Sequence, residues 1–438
     1  MNSVAPTIDE ARLINRIALR LMPLLGMLYL VAYIDRANIS FAKLQMLGSL
    51  GLSEVAYGLG ASLFFIGYLL FEVPSNVMLY KYGAPRWMAR IMFSWGVVTV
   101  LLAFTTSAPM FYVLRFLLGA SEAGLYPGVI YYLTLWFPAR HRVRMLGYFT
   151  VGSSLGNMIG APICGWLLDK SGLAGLHGWQ LVFIVTGIPS ILLTFVVLFL
   201  LPASPHKARF LRDNEKQWVI ATLDAERKQT PGSGSHAFSL GALVQPRVIG
   251  MALYYMMLSI SVYGVSYWLP TLVKGFGVSN TTNGLLNMIP WLMATLVLAW
   301  LPSKLRAGNR VVAAMLIAAL LGVACFLGAV FLPTNTWRFI ALCFGAPCMY
   351  LLIPCFWTLP SKFLFGARAA AGIAMINSLG NIGGFIAQNL VPWVRETSGS
   401  VRAPMLIPAA CLLLFAAITA LILRGRRETG EGRAPVTS

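Results

Sequence analysis

Apolar positions along the chain gather into runs long enough to cross a bilayer, which takes about 20 residues of helix. Such runs fall near 17–37, 55–80, 87–106, 109–136, 144–168 and 179–201. They resume near 248–273, 282–302, 310–332, 338–361, 370–394 and 403–423. A polar stretch, 203–246, separates the two sets of six. The pattern predicts an all-α polytopic membrane protein, with 12 transmembrane helices in two six-helix, pseudo-symmetric halves. The expected organisation is a bundle over 1–202, a linker over 203–246, a second bundle over 247–424 and a tail over 425–438. Residues 206–229 suit one amphipathic helix on the membrane surface, or a solvated connection. The apolar run after Arg20 is too long for a cleavable leader and further spans follow it.

Composition agrees with the pattern. Of 438 residues, 58% are hydrophobic and 11% charged, against roughly 25% charged in soluble domains. So little charge cannot cover a water-facing surface of this size, and the apolar excess must face lipid. The net charge of +19 raises the question of nucleic acid. The basic residues, however, sit in short clusters between apolar runs, which is the mark of a topology signal. With both termini cytoplasmic, 25 of the 33 Lys and Arg fall on the inner side. Six lie outside: Lys43, Lys170, Lys274, Arg338, Arg395 and Arg402. Only Arg36 and Arg115 are left within spans.

The halves share a short repeat. Arg144 opens the fifth span, which contains Ser154-Leu155-Gly156-Asn157 and Gly160. Arg368 opens the eleventh, which contains Ser378-Leu379-Gly380-Asn381 and Gly384, all at one offset. Parallel halves of this kind place a substrate near the bilayer midplane, between them. The six cysteines lie in apolar segments without a CxxC pair, and the four histidines fall in loops. Neither a metal site nor a disulfide framework is expected. No phosphate loop and no potassium-filter sequence appears, so the expected driving force is a gradient and no cofactor is expected.

Ionisable residues within spans are costly and call for a reason. The first span carries Asp35-Arg36 with Asn38 beyond, the second Glu72 before Pro74, and the fourth Arg115 and Glu122. The last two are seven residues apart, close to two helical turns, on one face about 10 Å apart. Arg115 and Arg36 suit anion binding, because a guanidinium grips a carboxylate bidentately and keeps its proton. Asp35 and Glu122 suit proton carriage, since desolvated carboxylates in a membrane cavity titrate near neutral pH. The competing reading is that these charges pair only with one another and lock helices. Asp35 and Arg36 also lie where a span end would let them snorkel, and Glu72 reads as a helix-contact residue. The second half has no acid in mid-span; its polar candidates are Tyr263 and Asn377.

At this point the residues resemble the major facilitator superfamily, and within it the anion:cation symporter family. The resemblance rests on Asp35-Arg36-Ala37-Asn38-Ile39, on Glu72-Val73-Pro74-Ser75-Asn76, and on Arg115 through Gly124 with Pro127-Gly128. Trp136-Phe137-Pro138-Ala139-Arg140 extends it. It implies proton-coupled uptake of small organic anions such as sugar acids, tartrate, phthalate or aromatic acids. It also implies proton coupling at Asp35 and Glu122, anion contact at Arg36 and Arg115, and Asn377 facing the cavity. The superfamily's loop after span two usually reads Gly-x-x-x-Asp-Arg-x-Gly; here it is Asn76 to Gly83, with Tyr80 in place of the acid.

The expected protein is a secondary transporter working by alternating access as a monomer in a bacterial inner membrane. Its partners would be an organic anion, protons and the bilayer, with no nucleic acid. The rivals are an exporter on the same fold and a non-transporting membrane sensor. An enzyme is not expected, for want of a nucleophile–base set.

Overall fold

The computed structural model describes residues 9–229, 245–304, 309–360 and 367–428, and among these it contains helices and no strand. In chain order the first half holds α1 (Glu10–Leu50), α2 (Glu54–Tyr82), α3 (Ala84–Leu102), α4 (Ala108–Glu122), α5 (Leu125–Thr134), α6 (Ala139–Leu168) and α7 (Gly178–Leu200). The connecting helix α8 spans Asp213–Gln229. The second half holds α9 (Pro246–Lys274), α10 (Asn280–Lys304), α11 (Asn309–Phe331), α12 (Asn335–Trp357), α13 (Ala367–Ser398) and α14 (Leu406–Glu428). With α4 and α5 read as one broken span, these are the 12 crossings in two halves. Ten of them are long and apolar enough to cross a membrane on composition alone, all but α3 and α13. Large apolar side chains such as Phe199, Ile317 and Leu421 stand exposed on outer faces, where a hydrocarbon solvent accepts them.

The packing repeats between halves. α1 lies on α6 as α9 lies on α13, α3 on α7 as α11 on α14, and α2 on α4 as α10 on α12. Across the halves α6 meets α10 and α2 meets α13. The repeated Ser-Leu-Gly-Asn motif sits at equivalent contacts. Gly156 of α6 lies against the backbone of Leu30 and Tyr33 Cβ on α1, and Gly380 of α13 against the Tyr255 ring on α9; a Cβ fits at neither.

Two crossings differ from the sequence pattern. The first runs 41 residues, from Glu10 to Leu50, rather than ending near 37. Asp35 and Arg36 therefore lie inside a continuous helix and not at a snorkelling end. The fourth is broken after Glu122: Gly124 has φ 91° and α5 starts at Leu125. Pro127 has no N–H to return to the Ala123 carbonyl four residues earlier. Ser75 Oγ donates to that carbonyl instead, at 2.6 Å, and Trp87 Nε1 donates to Ser75 Oγ at 2.9 Å. A Cβ at Gly124 would collide with Ser75 Oγ.

α8 is helical, as one of the two readings of 206–229 has it, though only from Asp213. It docks on the first half. Arg16 of α1 pairs with Glu215 at 2.8 Å, and Glu226 accepts from Ala139 N at 2.9 Å and from Arg142 at 3.0 Å. Residues 230–244 and 429–438, which hold the rest of the expected linker and most of the expected tail, lie outside the described residues. The end of the bundle that carries α8 is called the linker face below.

Candidate functional site

A cavity of about 2250 Å³ lies between the halves, lined from α1, α2, α4, α5 and α6 on one side and α9, α10, α12 and α13 on the other. Along α2 its lining runs from Phe64 to Tyr80, toward the linker face. At the opposite face the halves close on one another. Gly58 of α2 packs against the Gln388 backbone and Pro392 of α13 without room for a Cβ. Val55 N donates to Glu396 at 3.0 Å. Lys43 of α1 is 1% exposed, pairs with Glu54 at 2.7 Å, and holds its Nζ 3.6 Å from the centroid of Trp268 on α9. Asp169 reaches across from the first half and accepts from Asn280 at 2.8 Å and from Thr281 N and Oγ1 at 2.7 Å. Burial pushes the Asp169 carboxyl up, but these hydrogen bonds outweigh it and hold it below the usual carboxylate range. The protein is therefore open at the linker face and clasped at the other.

The charged residues meet at the closed head of the cavity. Arg36 donates from Nε and Nη2 to Glu122 Oε1, at 3.0 and 2.6 Å. Its side chain remains 23% exposed, while that of Glu122 is 3% exposed. Glu122 Oε2 has no partner among the described residues. Arg115 does not pair with Glu122. It is 4% exposed and donates from Nη2 to the Ala61 carbonyl at 2.9 Å. Phe64 connects the two arginines, with Arg36 Cζ 5.6 Å and Arg115 Cζ 5.2 Å from its centroid. Tyr33 carries Arg36 on its other side at 5.2 Å. Such contacts hold a desolvated guanidinium by cation–π attraction.

Asp35 faces away from Arg36, into the first half. It accepts from Trp95 Nε1 at 2.5 Å, Thr99 Oγ1 at 3.1 Å and Asn38 Nδ2 at 2.7 Å. Asn38 also donates to Thr186 on α7, at 3.0 Å. These partners were not legible in the sequence: Trp95 and Thr99 sit in an apolar run like any other. From the second half, Tyr263 and Asn377 both line the cavity. Tyr263 OH lies 3.5 Å from Asn381 Oδ1, and its ring packs edge-on against Phe65, with centroids 4.9 Å apart. Tyr80, where the loop lacks its acid, packs against Tyr131 at 4.4 Å.

The six sequence candidates thus line one cavity, with Glu122 and Arg115 on one helix and Glu122 paired to Arg36 of α1. No group of three or more His, Cys, Asp or Glu suited to a metal occurs among the described residues.

A family model described as Major Facilitator Superfamily matches residues 25–388. A protein of Agrobacterium vitis named for tartrate transport is 40% identical over 431 residues, covering 98% of each chain. A quinolone resistance transporter of Acinetobacter baumannii is 41% identical over 424 residues, covering 96% of each. Among solved structures, the inward open xylose transporter of E. coli superimposes with a TM-score of 0.72 at 16% identity, over 93% of this chain and 95% of that one.

Proposed function

The chain belongs to the Major Facilitator Superfamily, and on that premise we propose that it couples protons to the movement of a small organic anion by alternating access. It is a membrane transporter and not an enzyme. The observation that carries the coupling is the Arg36–Glu122 pair at the head of the cavity. While Glu122 is ionised it occupies the guanidinium fork. A proton on Glu122 cancels that attraction and leaves the fork to a substrate carboxylate, which it grips bidentately. Proton and anion then bind as a set, and when both leave, the pair re-forms and the empty carrier can return. Asp35 is the second proton site, held beside the pair by Trp95 and Thr99. Arg115 supplies positive potential from behind Phe64, and Tyr263 and Asn377 offer hydrogen bonds to the body of the acid.

The substrate class is a hydroxy- or aromatic carboxylate. The name of the Agrobacterium relative supports the first, and the aromatic lining of the cavity the second. The clusters of Lys and Arg put the linker face in the cytoplasm of a bacterial inner membrane, and one chain contains a whole cavity, so a monomer suffices. The test is uptake of L-tartrate and of benzoate-type acids into proteoliposomes. An inward proton gradient should drive it and a protonophore should collapse it. Equal drive by sodium with protons clamped would remove the proton assignment. The name of the Acinetobacter relative favours a second reading, export of an aromatic acid by the same cycle. The direction of net flux under a physiological gradient separates the two.

A further inference from the structure

The cavity holds one more acid, outside the Arg36 pair. Glu72 lines the wall on α2, half-buried, and its Oε2 accepts a hydrogen bond from Ser378 Oγ of α13 at 3.3 Å. The other acids that line the cavity are matched: Asp35 by three donors and Glu122 by Arg36. Glu72 makes no ion pair among the described residues. A carboxylate at membrane depth without a cation is costly, and one hydroxyl at 3.3 Å offsets little of that.

Its position relative to Arg36 follows from helix geometry. Phe64, Tyr68 and Glu72 are four residues apart on one face of α2, and all three line the cavity. Phe64 carries the Arg36 guanidinium on its ring. Eight residues of helix rise about 12 Å, so Glu72 stands that much closer to the open mouth. Tyr68 lies between the two charges, and the rings of Tyr255 and Trp357, with centroids 5.2 Å apart, wall the same space. The cavity thus carries a cation at Arg36 and an acid midway along the α2 wall at Glu72, with aromatic surface between.

We propose that Glu72 is a specificity residue for a cationic group, so that the carrier favours amphoteric acids: a carboxylate on Arg36, a flat body along Tyr68, and a protonated amine on Glu72. The inference rests on the reading of Arg36 as the anion site. An ammonium placed there restores the missing ion pair, and the neighbouring ring faces add cation–π attraction. A plain monoanion of the same shape leaves Glu72 without a cation and gains nothing from it.

The test is calorimetric titration of the purified carrier at neutral pH with two acids of one shape. Para-piperazinylbenzoate carries a distal protonated amine, and para-morpholinylbenzoate has an ether oxygen in its place. The wild type should bind the piperazinyl acid about tenfold more tightly or better. Glu72→Gln should bring that ratio close to one, and Glu72→Asp, which keeps the charge, should retain a clear preference. Equal binding of the two acids by the wild type overturns this proposal alone. So does a ratio that Glu72→Gln leaves unchanged. If Glu72→Gln fails to fold, a ratio of one in Glu72→Asp overturns it. Failure of the wild type to bind either acid sinks the Arg36 reading and this one together.

Discussion

Arg36 and Arg115 carry the same charge and flank the same ring, Phe64, yet their surroundings fit them for different work. Arg36 is partly open to the cavity, and its ionic partner among the described residues is Glu122, the proposed proton site. Arg115 is closed in and bonded to a backbone carbonyl, which no proton removes. Arg36→Lys keeps the charge but loses the fork, and hydrogen bonds to charged groups are worth about 1.5–3 kcal/mol. The expected result is a ten- to hundredfold weaker affinity for an organic acid by titration, with a near-normal melting temperature. Arg115→Lys should reverse the balance, lowering the melting temperature and weakening affinity less. Equal losses of affinity at both positions would contradict the assignment. The sequence showed that five ionisable residues needed explaining, Asp35, Arg36, Glu72, Arg115 and Glu122, but not how they pair. Spacing set Glu122 and Arg115 on one face of a helix two turns apart, and it left open which of the charges pair. Their true arrangement depends on the tertiary placement of α1 and α4, which lets the side chains of Arg36 and Glu122, 86 positions apart, meet.

At the scale of elements, the break between α4 and α5 is set by three residues acting together. Pro127 withdraws a hydrogen bond, Gly124 takes the left-handed conformation, and Ser75 satisfies the Ala123 carbonyl. Ser75→Ala leaves that buried carbonyl unpaired, at a cost of about 1–3 kcal/mol, and should lower the melting temperature of the detergent-solubilised protein. An unchanged melting temperature would mean the break is held by other contacts. Apolarity runs straight through Gly124 and Pro127, so span four read as continuous over 109–136. The clasp at the closed face was not visible at all. Lys43 counts in the sequence as one basic residue on the outer side, and only the fold sets it over Trp268.

Opening that face requires Lys43 to leave the indole, a cation–π contact worth about 0.5–2 kcal/mol. Trp268→Leu should therefore shift the equilibrium toward the opposite-face-open state by roughly two- to thirtyfold. Spin labels at Ser49 and Ser398, both exposed on that face, would report it as a longer distance. An unaltered distance distribution would remove the clasp from the gate. Asp169→Asn should lengthen the same distance. Because the folded Asp169 carboxyl lies below its ordinary value of about 3.9, its contribution is complete above that value and fades only as pH falls through the lower one. The difference between wild type and Asp169→Asn should thus stay constant from pH 8 to pH 5.

For the whole molecule, α1 packs on α6 as α9 packs on α13, and the two halves touch at α2–α13 and α6–α10, the contacts that the proposed alternating access would have to change. The two six-helix halves follow from the apolar runs, the central polar stretch and the repeated Ser-Leu-Gly-Asn. Which face stands open does not, since both states bury the same spans and differ only in contacts between distant residues. The central claim is that Glu122 exchanges a proton for its hold on Arg36, and Glu122→Gln tests it most directly. Gln keeps the shape of Glu but cannot titrate, so Arg36 is left without an ionic partner whether or not protons are present. The measurement compares counterflow with gradient-driven uptake of an acid in one reconstituted preparation. The account predicts that the variant still binds the acid and exchanges it across the membrane, but no longer accumulates it against a gradient. Normal proton-driven accumulation by Glu122→Gln would contradict the account.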